Sequence, residues 1–302
     1  MIDITHKNTT LRIAIAQAIV VVSKQETISA LINKTVPKGD VFEMAKTAGL
    51  FAAKKTSEII PDCHPLPIEY TKIDYTINGL EVAITVEIKT IYKTGVEVEA
   101  MHAASVVALT FYDMLKPIDK HIEIKNIKLL QKQGGKSDKL DQFTTKIKAA
   151  VLVCSDSISN GKKQDSSGKI IVDKLKKFPV DVCNYDIIPD EVEIIQTKIG
   201  EYTSNQIELI IVTGGTGLSK RDFTPEAISP LLDRLIPGIG EYIRQYGQNR
   251  MPYSILSRSI AGLIGNTLVI TLPGSTKGAE ESMDALFPHV LHVFKMIHSG
   301  KH

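Results

Sequence analysis

The run KAAVLVC at residues 148–154 is apolar after its first lysine, and IELIIVTGGTG at residues 207–217 places a similar run before a glycine-rich turn. Short runs of this kind, rich in β-branched residues, are typical of strands buried on both faces. The intervening pattern predicts helices at residues 165–177 and 190–204, with a strand at residues 181–188. This alternation predicts a doubly wound α/β fold with a mostly parallel sheet. Farther along, it predicts a helix from Pro225, a strand at 267–272 and a last helix at 277–297.

The first half of the chain has a different pattern. The alternation of apolar residues predicts strands, and two helical stripes end before Pro61 and Pro117. Asn78-Gly79 between two alternating runs is a strong hairpin signal. The predicted elements are a strand at 11–22, a helix at 40–59, strands at 69–77 and 81–91, a helix at 97–116 and a strand at 121–130. This order predicts an α+β, ferredoxin-like fold, an antiparallel sheet with helices on one face.

The length of 302 residues is sufficient for two domains, and 43% hydrophobic residues supply two cores. Residues 131–145 are polar and predict a linker, which gives domains at 1–140 and 146–302. A net charge of +2 predicts no nucleic-acid partner. Three cysteines without a CxxC pair disfavour disulfides and structural zinc. The N-terminus has no signal-peptide core and no run is long enough for a membrane span, so we expect a cytoplasmic location without a membrane partner.

Charged residues in the first half suggest proton transfer. Asp113 and Lys116 lie three residues apart on one helix face, where neighbouring charges shift a lysine's pKa. The alternative is a surface ion pair of little consequence. Lys136 lies in GGKS, which is not a Walker A motif because Leu130 stands where a glycine is required. A loop carrying Lys136 can still close over a phosphate, although a solvated linker lysine explains the pattern equally well.

Long, ordered segments make residues 2–138 resemble cyclic pyranopterin monophosphate synthase, the MoaC family of molybdenum cofactor biosynthesis. The segments are MIDIT, PKGDVFEMAKTAGLFAAKKT, IIPDCHPL, KTGVEVEAMHAASVVALTFYDMLK and LLQKQGGKS. The resemblance implies conversion of 3',8-cyclo-7,8-dihydro-GTP into cyclic pyranopterin monophosphate, with release of pyrophosphate. It implies catalytic roles for Lys38, Asp113, Lys116 and Lys136. It implies substrate contacts for Arg12, His64, Glu97 and Glu99. Taken alone, His64 would be read as structural, and the two glutamates as charges suited to a helix N-terminus.

In the second half, TGGTG after a buried strand lets main-chain N–H groups approach an anion. A tight turn explains it equally well, and it is not the GxGxxG fingerprint of dinucleotide-binding folds. Asp190 and Asp222 follow other strands, at the edge where open parallel sheets bind ligands. Two carboxylates there suit Mg²⁺ beside phosphates, while a helix cap is the alternative for Asp190.

Residues 147–298 resemble the molybdopterin adenylyltransferase family, MogA with its relative MoaB. The segments are SDS, IIPDE, IVTGGTGLSKRDFTPEAI, PGIGEYIRQYG, MPYSILSRSIAGLIGNTLVITLPG and KGAEESMDAL. The resemblance implies transfer of AMP from ATP with Mg²⁺ onto molybdopterin. It implies that Asp190 and Asp222 are the catalytic, metal-associated carboxylates and that Asp156 supports a loop. It implies ligand contacts for Gly214, Gly215, Thr216, Gly217, Ser257, Arg258, Pro273, Gly274 and Ser275.

The sequence therefore predicts a fusion of two enzymes that act on a GTP-derived cyclic intermediate and on molybdopterin with ATP. The alternative is that the second half only binds molybdopterin and oligomerises the first. A nucleotide-binding regulator is disfavoured because the Walker and Rossmann signatures are missing from the sequence. The resemblances imply a homo-oligomer with threefold symmetry, a trimer or a hexamer.

Overall fold

The computed structural model describes residues 1–135, 138 and 141–299. The chain divides into two compact units, Met1–Lys139 and Leu140–His302. Each unit has its own sheet. Within the described residues, no helix combines the length and the apolarity needed to cross a membrane.

The first unit is built on a four-stranded antiparallel sheet in the order β2-β3-β1-β4. Its elements are β1 (Thr10–Val21), α1 (Gln25–Ile32), α2 (Val41–Lys54), α3 (Thr56–Ile59), β2 (Tyr70–Asn78), β3 (Glu81–Tyr92), α4 (Glu97–Leu115) and β4 (Glu123–Gln133). The order of strands, with α2 and α4 packed on each other, is the ferredoxin-like arrangement. The fold class predicted for this half is confirmed.

Alternation of side chains explains why β1 lies at the centre of this sheet. Ala14, Ala16, Ala18 and Val20 point to the helical face and are fully buried, because successive strand residues face opposite sides. Small residues also let the helices approach closely. A Cβ on Gly49 of α2 would lie 2.5 Å from a methyl group of Val107 on α4.

Three details of the first unit differ from the prediction. Helix α1 was not predicted, since Lys24 before it provides no side-chain cap and its pattern is short. The helix predicted at residues 40–59 is divided at Lys55 into α2 and α3. Strand β4 continues to Gln133, so the predicted linker was wrong at its start.

The second unit has a six-stranded sheet in the order β6-β5-β7-β10-β9-β8. Its elements are β5 (Ile147–Cys154), α5 (Asp156–Ser159), α6 (Ser167–Leu175), β6 (Val180–Ile188), α7 (Val192–Ser204), β7 (Leu209–Thr213), α8 (Thr224–Ile228), β8 (Arg234–Leu235), α9 (Pro237–Gln248), β9 (Ala261–Ile264), β10 (Thr267–Leu272), α10 (Thr276–Leu286) and α11 (His292–Ser299). The first four strands in the order are parallel and the last two pair antiparallel. The mostly parallel α/β fold is confirmed.

The second unit also contains elements that were not predicted. Strands β8 and β9 form an antiparallel edge, and α9 precedes β9. The last helix was predicted as one segment but is interrupted around Pro288, where a 3₁₀ turn over His289–Leu291 separates α10 from α11. A proline cannot donate a helical hydrogen bond, which accounts for the break.

Two apolar cores cover the two faces of this sheet. Because β5, β6, β7 and β10 are parallel, their carboxyl ends meet at one edge of the sheet. The loops that follow these strands begin at Ser155, Pro189, Gly214 and Pro273. Polar residues in these four loops are brought together although they are far apart in sequence.

Candidate active sites

Three of the catalytic residues predicted in the first unit form one cluster. The carboxylate of Asp113 near the end of α4 accepts hydrogen bonds from Lys38 Nζ at 2.8 Å and from Lys116 Nζ at 2.8 Å. Lys38 Nζ also donates to the main-chain oxygen of Asp113 at 2.9 Å. Lys38 lies in the loop before α2, so its ion pair with Asp113 connects this loop to the end of α4. We call these three residues the lysine–aspartate cluster.

The lysine–aspartate cluster is exposed and strongly polarised. Hydrogen bonds from the two lysines, with the larger effect from Lys116 and the smaller from Lys38, lower the pKa of Asp113 to about 2. The same contact raises the pKa of Lys116. At neutral pH the cluster therefore holds one carboxylate between two ammonium groups. Such a set can bind an anion and can pass a proton between its members when a substrate changes the balance of charge.

Arg12 and Glu97 lie at the other end of α4. Arg12 donates from Nε to the main-chain oxygen of Tyr92 at 3.2 Å, and burial lowers the pKa of its guanidinium. Glu97, the first residue of α4, pairs with Lys132 Nζ at 3.3 Å. The guanidinium also lies close to Gly135, where a Cβ would lie 2.2 Å from Arg12 Nη1. The absence of a side chain at Gly135 thus leaves room for the guanidinium in this position.

Glu99 lies one turn into the same helix and is only 4% exposed. Burial raises the pKa of its carboxyl, as does the charge of Glu97. His64 hydrogen-bonds through Nε2 to the main-chain oxygen of Ile2 at 2.7 Å. Lys136, predicted to be catalytic, lies outside the described residues. The roles predicted for Arg12, His64, Glu97, Glu99 and Lys136 stay predictions.

The length of α4 separates these two groups within one chain. Glu97 and Asp113 are both in this helix, 16 positions apart. At about 1.5 Å per residue, that spacing corresponds to about 24 Å along the helix axis. Arg12, Glu97 and Glu99 therefore do not surround the same small molecule as the lysine–aspartate cluster of the same copy.

In the second unit, predicted residues converge on a cavity of about 310 Å³ at the carboxyl edge of the sheet. Its charged lining consists of Asp156, Asp190, Asp222 and Arg221, and Gly214, Gly215 and Gly274 supply main chain. We call it the carboxylate cavity. A larger cavity of about 630 Å³ lies between α6 and β6 but contains none of the predicted residues. Converging charges and main-chain N–H groups, rather than volume, identify the carboxylate cavity as the candidate site.

Asp190 is the buried acid of the carboxylate cavity, with 4% of its surface exposed. Burial raises its pKa to about 6, against a hydrogen bond from the N–H of Phe223, and the charges of Asp222 and Asp156 add to the rise. Its Oδ1 accepts from Phe223 N at 3.2 Å, and no side chain caps α7, which follows Glu191. The helix-cap alternative for Asp190 is therefore not what the structure contains. A cation placed beside this carboxylate would favour its charged form.

The glycine-rich turn provides the opposite side of the cavity. Gly214 and Gly215 have φ of +99° and +62°, a region that favours glycine. A Cβ on Gly215 would lie 2.2 Å from Asp190 Oδ2 and 2.3 Å from Thr224 Oγ1. Within the described chain, no hydrogen-bond acceptor is found for the N–H groups of Gly215, Thr216 and Gly217. Of these three residues, Gly215 lines the carboxylate cavity, and an N–H group without an acceptor can bind an anion there.

Asp222 and Arg258 organise the loop after this turn. Asp222 Oδ2 accepts from Ser219 N at 2.7 Å and lies against Gly217. Arg258 donates to the main-chain oxygens of Gly217 at 2.8 Å and Asp222 at 2.6 Å, and it pairs with Glu226. All three guanidinium nitrogens of Arg258 are thus engaged in holding the loop. A ligand contact for Arg258 stays a prediction.

Another cavity, of about 260 Å³, is lined by three more of the predicted residues, Ser257, Pro273 and Ser275. Ser275 accepts from Gly278 N at 3.2 Å and caps α10. Tyr253 at the rim of this cavity is 74% exposed. The cavity thus offers hydroxyl groups and an exposed aromatic ring. It adjoins the loop after β10, whose Pro273 and Ser275 line this cavity and whose Gly274 lines the carboxylate cavity.

One pairing in the carboxylate cavity was not predicted. Arg221 donates to the carboxylate of Asp156 from Nε at 2.9 Å and from Nη2 at 3.0 Å, and Glu191 lies 3.7 Å away. Asp156 Oδ1 also accepts from the N–H of Asp190 at 3.1 Å. The only signal in the sequence was that Asp156 and Arg221 both follow strands of the parallel sheet.

The donor set in the carboxylate cavity fits a metal that arrives with its ligand. Among the described residues, no group of three His, Cys, Asp or Glu side chains is placed to hold a metal ion. Mg²⁺ usually takes one or two carboxylates and completes its shell with substrate phosphates and water. Asp190 and Asp222 meet that requirement when phosphates supply the remaining oxygens.

Comparison with known proteins covers both units. Residues 1–135 match the model of the MoaC family, and residues 150–292 match that of a probable molybdopterin binding domain. A molybdenum cofactor biosynthesis bifunctional protein of Chlorobaculum tepidum is 40% identical over 302 residues, covering 100% of this chain and 96% of its own. One of the same name from Synechococcus elongatus is 34% identical over 315 residues, covering 100% and 98%. The crystal structure of MoaB from Thermus thermophilus aligns with 38% identity and a TM-score of 0.49, over 51% of this chain and 98% of that one.

Proposed function

Because the chain belongs to the family of molybdenum cofactor biosynthesis bifunctional proteins, we propose that its two halves carry out two separate reactions. Residues 1–140 would form the cyclic pyranopterin monophosphate synthase domain, and residues 146–302 would form the molybdopterin adenylyltransferase domain. The three cysteines are unpaired, which suits a reducing compartment such as the cytoplasm.

In the first half, the proposed reaction converts 3',8-cyclo-7,8-dihydro-GTP into cyclic pyranopterin monophosphate and pyrophosphate. The observation that carries this proposal is one carboxylate held between two lysines, at 2.8 Å from each. Rearrangement of the purine ring moves protons between ring atoms, and the lysine–aspartate cluster supplies both a donor and an acceptor. The ammonium groups also counter the charge of the triphosphate. Arg12 at the other end of α4 offers a guanidinium for phosphate oxygens, and Glu97 and Glu99 offer acceptors for a purine edge.

A second copy of the chain would complete the first site. The lysine–aspartate cluster and the Glu97 end of α4 are about 24 Å apart along the helix, too far for one substrate to touch both. In an assembly of two copies, the lysine–aspartate cluster of one copy would lie against the Glu97 end of α4 in the other copy. The residues of both ends would then contact one substrate. The geometry asks for at least two copies, and the family resemblances imply that the copies form a threefold homo-oligomer, a trimer or a hexamer, which is part of the proposal.

In the second half, an oxygen of the molybdopterin phosphate would attack the α-phosphorus of ATP. The bond from that phosphorus to the β-phosphate oxygen breaks, pyrophosphate leaves, and AMP is joined to molybdopterin. The observation that carries this proposal is the carboxylate cavity, which brings Asp190 and Asp222 together with Gly215, whose N–H has no acceptor among the described residues. Carboxylates suit the Mg²⁺ that accompanies ATP, and the N–H groups suit phosphate oxygens. The adjoining cavity with Ser257 and Tyr253 suits a pterin or adenine ring.

The competing hypothesis is that the second half binds molybdopterin without catalysing a reaction. Two carboxylates without a third described metal ligand are compatible with that function as well. The full chain should therefore be incubated with each substrate separately and the products identified by mass spectrometry. We expect Lys116→Ala to abolish the cyclic pterin product and leave adenylyl transfer intact. We expect Asp190→Asn and Asp222→Asn to abolish adenylylated molybdopterin and leave the first reaction intact.

In each variant the unaffected reaction is the control for the amount of intact chain in the assay. Among the described residues, the exposed Lys125 of β4 pairs with Glu123 alone, so Lys125→Ala should leave both products unchanged. Adenylylated molybdopterin at parental levels from both Asp variants would refute the roles of these two carboxylates. A parent chain that binds molybdopterin but forms no adenylylated product would establish the binding-only function instead. Near-normal cyclic pterin formation by Lys116→Ala would refute the role of the lysine–aspartate cluster.

A further inference from the structure

The carboxylate cavity contains an imbalance of charge that a nucleotide would meet on entering. Its charged side chains are three carboxylates, from Asp156, Asp190 and Asp222, and one guanidinium, from Arg221. Phosphate oxygens are repelled by carboxylates unless a cation intervenes. One Mg²⁺ shared by Asp190 and Asp222 would leave Asp156 facing the phosphates. The position of Arg221 therefore decides whether the phosphates are repelled or held.

The two arginines near the glycine turn differ in what they bind. Arg258 gives two of its three contacts to main-chain oxygens of the loop, which ties it to the local backbone. Among the described residues, the guanidinium of Arg221 binds side-chain carboxylates alone, Asp156 at 2.9 and 3.0 Å and Glu191 at 3.7 Å, and its side chain is 54% exposed. A phosphate group offers the guanidinium the same paired hydrogen bonds with more negative charge, so an ion pair this exposed can be exchanged for it. Arg221 can thus leave its partner without unfolding the loop.

We propose that Arg221 is the phosphate-binding cation of the adenylyl-transfer site and that Asp156 holds it ready in the empty cavity. When ATP with Mg²⁺ enters, the guanidinium exchanges the carboxylate of Asp156 for oxygens of the leaving pyrophosphate group. A guanidinium binds such oxygens in pairs through two parallel N–H groups, as it binds the carboxylate here. Asp156 keeps its hydrogen bond from the N–H of Asp190 and so continues to position the metal-associated acid. This inference rests on the adenylyl transfer proposed for the second half.

The exchange makes Asp156 a competitor of the nucleotide for Arg221. Asp156→Asn removes the charge but keeps an oxygen that can accept from the N–H of Asp190. Since an exposed ion pair is worth at most about a fivefold change in an equilibrium constant, we expect this variant to lower the KM for MgATP about two- to fivefold. Arg221→Ala loses charge-assisted hydrogen bonds to phosphate and should raise that KM about tenfold or more. The KM for molybdopterin should stay within about twofold in both variants.

The double variant separates exchange from a simple loss of repulsion. The experiment measures adenylyl-transfer kinetics of the full chain with MgATP varied, for the parent, Asp156→Asn, Arg221→Ala and the double variant. If Asp156 acts through Arg221, Asp156→Asn should bring no gain in the Arg221→Ala background. Asp173→Asn removes an exposed carboxylate of the same half, paired with Lys176 outside the cavity, and should leave the KM for MgATP unchanged. Arg221→Lys should recover part of the loss, because lysine supplies the charge without the paired geometry.

Two results would overturn the inference while leaving the proposed function in place. One is a lower KM for MgATP from Asp156→Asn that persists in the Arg221→Ala background, which would mean reduced repulsion alone. The other is that Arg221→Ala raises the KM for MgATP and the KM for molybdopterin and also lowers the melting temperature. That result would mean that Arg221 has a structural role instead of binding phosphate. A parent chain that forms no adenylylated product would refute the proposed function itself, and this inference with it.

Discussion

The contact between Gly215 and Asp190 allows a sharp test of the carboxylate cavity. In Gly215→Ala the new Cβ would lie 2.2 Å from Asp190 Oδ2, whereas ordinary contact begins at 3.4 Å. The buried carboxylate must therefore move by about 1 Å or the glycine turn must open by as much. A displacement of about 1 Å at a reacting centre costs about 100-fold in rate. We expect kcat/KM for adenylyl transfer to fall about 100-fold, measured on the full chain with MgATP and molybdopterin.

Gly265→Ala is the matched control for the backbone. Gly265 has φ of +57°, close to the +62° of Gly215, but a Cβ there has nothing within 4 Å. Both variants carry the cost of a left-handed alanine, about 1–2 kcal/mol, and Gly215→Ala should melt at the lower temperature because it also meets Asp190 and Thr224. Only Gly215→Ala should also lose activity. Equal kcat/KM values for the two variants would show that the position of Asp190 does not matter for the reaction.

Two further predictions concern stability. Burial alone would raise the pKa of Asp119, but hydrogen bonds from Ser23, Thr27 and the N–H of His121 lower it to about 2. Because the folded pKa lies below the ordinary value of about 3.9, Asp119 stabilises the first unit by about 2–3 kcal/mol above pH 4, and this is lost as the pH falls to about 2. Hydrogen exchange of β1 and α1 should thus show Asp119→Asn to be destabilising at pH 7 and nearly neutral at pH 2; an equal effect at both would contradict this origin. Asp165→Ala, which deprives two N–H groups of α6 of their acceptor, should lower the stability of the second unit by about 1–2 kcal/mol in the same measurement, and an unchanged exchange rate in α6 would contradict that role.

Strong local signals explain which parts of the fold could be predicted. Asn78-Gly79 fixes the hairpin because glycine there takes a φ of +60°, and the apolar run ending at Cys154 can only be a buried strand. Helix α9 has no such signal, since its glycines favour a loop by propensity. Gly240 is needed there because a Cβ would lie 2.6 Å from the main-chain oxygen of Ser259. That requirement is set by a tertiary neighbour, which the local pattern does not contain.

The same distinction applies to the candidate sites. Asp113 and Lys116 could be paired from sequence because helical spacing brings residues three apart together. The contact between Asp156 and Arg221 joins residues 65 positions apart, and no local rule connects them. The family resemblance implies a ligand contact for Arg258. Its contacts with Gly217, Asp222 and Glu226 depend on the path of the main chain, and only the folded structure shows them.

Helix α4 carries residues of the candidate site at both ends, so its length sets the distance between Glu97 and Asp113. One inserted or deleted residue would turn Asp113 by about 100° relative to Glu97 and shift it by about 1.5 Å. Substitutions along the exposed face of this helix leave that spacing intact, whereas a change in its length does not. Over evolutionary time the exposed face of this helix is therefore freer to vary in composition than the helix is to change its residue count. Insertions should instead collect in the loops of the first unit.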